Sequence, residues 1–374
     1  MIRCSRCCYP STKPDIAFVD GVCSACLAFD DRQKIDWAAR MEDFKQVLAD
    51  TKRAAGGWSY TCVVPSSGGK DSTYQTIRML ELGQRPLVVT AATDLLSDIG
   101  RRNIDNLSRF ADTIEVRPNT TIRRKLCRIA MNEVGDLSWP EHSLIWSVPF
   151  QVAVAKNIPL IVYGENPQSA YGGPLGTQEA TQMTARWRSE FGGFLGLRVS
   201  DLVGREGIRG EDMEPYMPPS DTDLARVGVK AVWLGQYEDW DGYQNALRSR
   251  EHGFEWLDQE VEQSIGEWEN LDNLITVPRD WLRFCKYGYG RATDIASSAI
   301  RRGRMTRDEA LKKIAERERF PWTSLGVPLR DVLCEVGVTT DDYIAACDRF
   351  TNPAIFKFVD GKPVKDADGT PVFK

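Results

Sequence analysis

Trp37, Met41, Phe44 and Leu48 recur at spacings of four, three and four within the stretch from Asp31 to Ala55, which places them on one face of a helix that Gly56-Gly57 stops. A β-rich run, Tyr60 to Val64, then passes through a Gly-containing turn into the helix-forming stretch TYQTIRMLELG. From there strand-length and helical patterns alternate. Strands are expected at Leu87 to Ala91, Thr113 to Val116 and Ile158 to Tyr163, and helices around Gly100 to Leu107, Ile122 to Glu133 and Ser143 to Lys156. This alternation predicts an α/β fold with a doubly wound, mostly parallel sheet. Ligands of such sheets bind past the carboxyl ends of the strands, so Ala91 to Asp94 and the loop from Gly164 onward are candidates.

Beyond this core the pattern is mainly helical. The acidic, Pro-containing stretch Glu211 to Asp223 reads as a loop or flap, and FVDGKPV near the end carries an Asp-Gly turn suited to a hairpin. The expected organisation is a Cys-rich lobe over 1–30, a linking helix over 31–57, an α/β domain over 58–210 and a substrate- and partner-facing region over 211–374.

Charge removes some classes of function. With 48 Lys+Arg against 53 Asp+Glu the net charge is −5, which offers no basic footprint for nucleic acid. The longest apolar runs, such as IPLIVY, are of strand length, far below the roughly 20 residues of a membrane span. The start, MIRCSRC, has no apolar signal region, so a cytoplasmic location is expected. Ten cysteines in that setting are expected to be reduced, and their spacing reads as metal chemistry. Cys4-x-x-Cys7 and Cys23-x-x-Cys26, fifteen residues apart, form two knuckles that close a tetrahedron around a structural Zn²⁺. Cys8 adjoins the first pair without knuckle geometry.

The turn after Val64 carries the main chemical signal. A strand that enters Pro65-Ser66-Ser67-Gly68-Gly69-Lys70-Asp71-Ser72-Thr73 and leaves as a helix presents free backbone N–H groups and a positive helix end to an anion. Hydroxyls of Ser67, Ser72 and Thr73 and the charge of Lys70 complete a phosphate cradle. The order S-G-G-K-D-S differs from the Walker loop.

At these residues the chain resembles the PP-loop ATP pyrophosphatases, marked by S-G-G-x-D-S after the first strand. The resemblance implies cleavage of ATP between the α and β phosphates, with Ser67 to Thr73 on the pyrophosphate end, Asp71 near Mg²⁺, and Ala91 and Asp94 near adenine and ribose. It narrows at Gly164-Glu165-Asn166-Pro167-Gln168-Ser169-Ala170-Tyr171-Gly172-Gly173-Pro174. With R-C-x-x-C, the second C-x-x-C, WLGQY at 233–237, ENLD at 269–272 and FCKYGYGRATD at 284–294, the chain is similar to the bacterial N-acetyl sugar amidotransferases of surface-polysaccharide biosynthesis.

What that family implies is conversion of an acetamido group on a nucleotide-linked N-acetyl sugar to an acetamidino group, as in O-antigen biosynthesis. ATP adenylates the amide oxygen and ammonia then displaces AMP. The resemblance implies roles for Lys70, Asp71, Glu165 and Lys286 in catalysis, Gly164 at the nucleotide, and Glu165, Asn166, Gln168, Tyr171, Lys286, Arg291 and Asp294 at the sugar nucleotide. Arg301, Arg302, Arg304 and Arg307 read as a solvated basic face.

Position 2 is Ile, and the only histidines are His142 and His252, so neither an N-terminal-nucleophile nor a triad glutaminase is legible. The family implies a separate glutaminase subunit that supplies ammonia. Two rival readings are tRNA thiolation, which pairs a PP-loop with C-x-x-C knuckles, and a non-catalytic zinc module on a decayed ATPase. The charge and the G-E-N-x-Q loop weigh against the first, and the intact S-G-G-K-D-S against the second.

Overall fold

The computed structural model describes residues 1–55, 59–92 and 95–374. An N-terminal hairpin, β1 (Phe18–Val19) and β2 (Val22–Cys23), turns at Asp20 and Gly21, both at positive φ, and leads into α1 (Ser24–Arg32) and α2 (Trp37–Ala55). The helix expected over 31–55 is therefore two helices. Asp36 accepts from the N–H groups of Ala38 and Ala39, capping α2 where the apolar spacing alone gave no sign of a break. The Gly56-Gly57 stop lies outside the described residues.

Five parallel strands follow: β3 (Cys62–Pro65), β4 (Pro86–Ala91), β5 (Asp112–Val116), β6 (Leu160–Tyr163) and β7 (Lys230–Trp233), in the order β5-β4-β3-β6-β7. Between them run α3 (Lys70–Glu81), α4 (Asp98–Leu107), α5 (Thr120–Val134) and α6 (Trp139–Ala155), then α7 (Pro167–Ala170), α8 (Ala185–Phe191) and α9 (Asp221–Val227). Both faces of the sheet are covered, as a parallel sheet requires. Cys62, Val64, Leu160, Val162 and Val232 pack with Phe44 and Leu48 of α2 and Met79 of α3. Val63, Leu87, Val89, Ile161, Tyr163 and Trp233 pack on the opposite side with α5 and α6. The period of two along each strand assigns these residues to their faces.

The sheet extends past residue 210, since β7 is its fifth strand. The stretch 211–223 is not a flap. Met213 and Tyr216 are buried in the sheet core, and the Ser143 and Ser147 hydroxyls of α6 donate to Tyr216 O and Pro215 O. The C-terminal region is helical: α10 (Gly242–Glu251), α11 (Thr276–Tyr287), α12 (Arg291–Arg301), α13 (Arg307–Arg317), α14 (Leu329–Glu335) and α15 (Thr340–Phe350). Its core, with Trp281, Phe284, Leu333, Tyr343 and Phe356, includes Cys127 and Met131 of α5 and Leu137 and so fuses to the α/β layer. The expected end hairpin pairs Phe358–Val359 with Lys362–Pro363 around Asp360 and Gly361.

Strand β3 is flanked by β4 on one side and β6 on the other, so chain direction across the sheet reverses there. The loops after β3 and β6 consequently open side by side at the carboxyl edge, the place where α/β sheets bind ligands.

Candidate active site

The loop after β3 is held open by its own side chains. Ser66 Oγ accepts from Gly68 N at 3.0 Å and lies 2.9 Å from Ser72 Oγ, so the turn is braced at both ends. Gly68 has φ +80°, and a Cβ there would lie 2.6 Å from Ile104 Cγ1. Only glycine serves both demands. Gly69 caps α3 with no side-chain cap, and the first residues of the helix, Lys70 to Ser72, line the cavity.

This cavity, of about 460 Å³, is lined by Ser67 to Ser72 from one side and by Ala91, Ala92, Leu96 and Asn103 toward the β4 end. A second cavity, of about 650 Å³, adjoins it. Lys70, Asp71, Glu165, Tyr171, Trp268 and Glu269 line both. At this junction Lys70 Nζ lies 2.7 Å from Asp71 Oδ2 and 2.6 Å from Glu269 Oε1. Asn245 Nδ2 of α10 donates to Asp71 Oδ1 at 2.9 Å, and Tyr171 Oη to Glu165 Oε1 at 3.3 Å. Burial works against the Lys70 ammonium, but Asp71 and Glu269 outweigh it and hold its pKa well above the usual lysine range. Burial, helped by the charge of Asp71, pushes the Glu165 carboxyl up to about 7. The junction thus joins a fixed ammonium to a carboxyl poised to exchange a proton near neutrality.

Segment 268–273 closes the cradle from above. Asp272 lines the cradle cavity together with Ser67, and Ser97 N donates to Asp272 O at 3.0 Å. Gly100 lets this happen, because a Cβ there would come within 2.7 Å of Asp272 Cα. Behind it, Arg279, Arg283 and Arg291 surround Asp280, which is 1% exposed. Burial opposes the charge of Asp280, yet Arg291, Arg283 and Arg279 together hold its carboxyl far below the ordinary range. Arg283 also pairs with Asp294 at 2.8 Å, and Tyr9 Oη donates to Asp294 at 3.0 Å, tying this network to the N-terminal lobe.

In that lobe the thiols of Cys4, Cys7, Cys23 and Cys26 are buried and lie within 4.8 Å of one another. A tetrahedron with Zn–S of about 2.3 Å has edges of roughly 3.8 Å. The Cys7–Cys23 and Cys4–Cys26 separations, 3.5 and 4.0 Å, bracket that value. The N–H groups of Cys7 and Cys23 both point at Cys4 Sγ, as they would toward a thiolate. The four residues fit a closed structural metal site, and none of them lines either cavity.

The residues expected at the site divide. Ser67, Gly68, Gly69, Lys70, Asp71, Ser72, Ala91, Glu165, Tyr171 and Arg291 line the first cavity, and Asp294 lines the second. Asp94 lies outside the described residues. The others are placed elsewhere. Thr73 is wholly buried, one helical step past the cradle. Gly164 is wedged between Gln75 and Trp240. Asn166 caps α7 and donates to the carbonyls of Thr177, Gln178 and Ala180, so its polar atoms face the protein. Gln168 is buried against Gly173. Lys286 turns away to donate to Val134 O at 3.0 Å.

Several lining residues had no assigned role. Glu269 and Asp272 lie in the quoted ENLD run, but their approach to a loop two hundred positions earlier leaves no local trace. His142 lines the first cavity beside Arg279, with burial lowering its pKa. The run after α12 is not a solvated face: Arg301, Arg302 and Arg304 line the second cavity, and Arg307 bonds the carbonyls of Cys4 and Cys7.

Residues 267–365 match the family model described as LPS biosynthesis protein WbpG-like, C-terminal domain. Over this stretch, which is less than half of the chain, it is similar to that domain. The match supports, over this part of the chain, the resemblance to a family of surface-polysaccharide biosynthesis. The matched stretch supplies Trp268, Glu269 and Asp272 to the first cavity, Arg291 beside them, and Arg301, Arg302 and Arg304 to the second. A comparison with curated proteins gave no match. Among solved structures, the chain is similar to NMN synthetase from Francisella tularensis, at 11% identity and a TM-score of 0.30, over 60% of this chain and 98% of that one.

Proposed function

We propose that the chain is the synthetase subunit of an ATP-dependent, AMP-forming amidotransferase, which converts an acetamido group of a nucleotide-linked sugar to an acetamidino group in surface-polysaccharide biosynthesis. The observation that carries this reading is the meeting of two distant segments. The S-G-G-K-D-S cradle and the segment similar to the WbpG-like domain line one cavity, joined by the Lys70–Glu269 ion pair.

The backbone of Ser67 to Gly69, the start of α3 and Lys70 suit the pyrophosphate end of ATP, and Ala91, Ala92 and Leu96 suit its adenosine. Asp71, its carboxylate aimed by Asn245, would hold Mg²⁺, which screens phosphate charge when bound. The amide oxygen of the sugar forms a bond to the α-phosphorus as pyrophosphate leaves. Ammonia then bonds to the activated carbon, the C–O bond breaks, AMP departs and the nitrogen loses a proton. Glu165, near neutral pKa and within reach of Tyr171, is placed to take that proton. Lys70 and Arg291 offset the charge that gathers at phosphate.

Ammonia comes, in this reading, from a separate glutaminase subunit. His142 is engaged by Arg279, and His252 sits half-buried at the end of α10 against Arg248 O. Thiolation of tRNA finds less support, because the paired cysteines lie off both cavities. The test is turnover of ATP with free ammonium and a panel of nucleotide-linked N-acetyl sugars. AMP and pyrophosphate should form together only when the acceptor is present. AMP that forms with any sugar and leaves the acetamido group unchanged would overturn the assignment.

A further inference from the structure

The second cavity is built unlike the first. One end is the acid–base junction at Lys70, Glu165 and Glu269; the other is walled by α1, by the start of α10 and by the end of α12. That far end carries Arg32, Arg301, Arg302 and Arg304. Two carboxylates hold three of them in fixed planes. Arg302 forks onto Asp239 at 2.6 and 2.8 Å, Arg304 pairs with Asp241, and Arg32 lies 3.6 Å from Asp239. Four guanidinium groups against Asp239 and Asp241 leave this end cationic, while Asp71, Glu165 and Glu269 gather at the junction and Asp294 is paired with Arg283 and Arg291.

Arg301 is the most telling. Its Nη2 donates to Ala170 O at 2.9 Å, but its Nη1 is buried with no partner among the described residues. A buried guanidinium N–H left unpaired is costly, which fits a group prepared for an anion that binds between the arginines. Aromatic side chains line the same space: Trp240, Trp268, Phe29 under Arg302 and Tyr243 under Arg304. A cavity of about 650 Å³ suits a ligand the size of a nucleotide sugar.

We propose that this second cavity, distinct from the nucleotide cradle, seats a nucleoside-diphosphate-linked acetamido sugar, its diphosphate at Arg301, Arg302 and Arg304 and its acetamido group at the Lys70–Glu165 junction. The inference rests on the amidotransferase reading and adds where the acceptor binds and which way it points. The polarity sets the orientation, because a diphosphate placed at the junction would face Asp71, Glu165 and Glu269.

The test is calorimetric titration of the full chain with UDP-N-acetylglucosamine in the presence of saturating α,β-methylene-ATP. One sugar nucleotide should bind per chain without displacing the ATP analogue. Arg301→Gln should weaken it by about tenfold or more, the loss of a charge-assisted hydrogen bond, and Arg301→Lys should recover part of that. Ala299→Phe, which fills the cavity from α12 without removing charge, should abolish binding and thereby serves should Arg301→Gln fail to fold. The ATP analogue should keep its affinity in every variant. Absence of UDP-N-acetylglucosamine binding, its displacement by the ATP analogue, or binding unchanged in Arg301→Gln and Ala299→Phe would each overturn the proposal. The two readings fail separately. Acceptor-dependent AMP formation that survives Ala299→Phe leaves the chemistry standing without this site, whereas binding that follows the variants without any AMP leaves a site without the chemistry.

Discussion

Glu165 stands two residues past β6, in a loop set beside the cradle by the pairing of Val63 with Ile161. Its place there couples structure to pH. The folded chain holds the carboxyl at about 7, above the ordinary glutamate value, so between those values the folded state keeps a proton that the unfolded state has released. Stability is then fully present below the unfolded pKa and declines as pH rises toward 7. Glu165→Gln removes that decline, and its melting temperature should exceed the parent's more at pH 8 than at pH 5; an equal difference at both would contradict the shift. In turnover, the ascending limb of the parent's pH profile should fall near 7, and Glu165→Gln should lose roughly 10²- to 10⁴-fold in kcat. Gly68 gives a second residue-scale prediction. Gly68→Ala forces a side chain at φ +80° against Ile104 and should cost about 1–3 kcal/mol by denaturant unfolding while eliminating binding of the ATP analogue.

At the scale of elements, the N-terminal lobe is a wall as well as a staple. Its hairpin and knuckles set α1, which carries Phe29 and Arg32 to the second cavity, and Arg307 grips the knuckle carbonyls from α13. Metal analysis of the purified chain should give about one Zn²⁺ per molecule. Cys23→Ser should lose the metal, lower the melting temperature and weaken UDP-N-acetylglucosamine binding, while the ATP analogue still binds at the cradle; equal loss of both ligands would contradict the separate roles of the two cavities. Legibility in the sequence follows the same division. The cradle was readable because strand, turn and helix are contiguous, and Glu165 because the sheet rule points past β6. Asn166 and Gln168 misled, since a polar loop does not reveal whether its amides face solvent, ligand or backbone. Asn166 satisfies three carbonyls of its own loop. Lys286 shares a helix with Arg279, but the sequence does not tell which face of α11 the cavity meets.

Over the whole molecule, the site exists only where two layers meet. Leu96 bridges to Asn273, Leu274 N donates to Leu95 O and Ser97 N to Asp272 O, so the segment 272–274 is stitched to the loop between β4 and α4 beside the cradle. Contacts of this kind span some 175 positions in the chain, which is why Glu269, Asp272 and Arg301 to Arg304 could not be assigned from local pattern. The same closure explains why no single motif suffices for the proposed chemistry: in that reading the cradle holds a triphosphate, while Glu269 and the arginine-lined cavity bring an acceptor to it. Because ammonia is proposed to come from a partner, free ammonium should support turnover by this chain alone, and glutamine should not. The most direct test of the account is mass spectrometry of a reaction of the purified chain with ATP, Mg²⁺, ammonium and UDP- and CMP-linked diacetamido sugars. Replacement of an amide oxygen by NH should lower the mass of one sugar by about one unit, with AMP formed in equal amount. AMP formed in a folded, metal-loaded sample with every sugar unchanged in mass would contradict it.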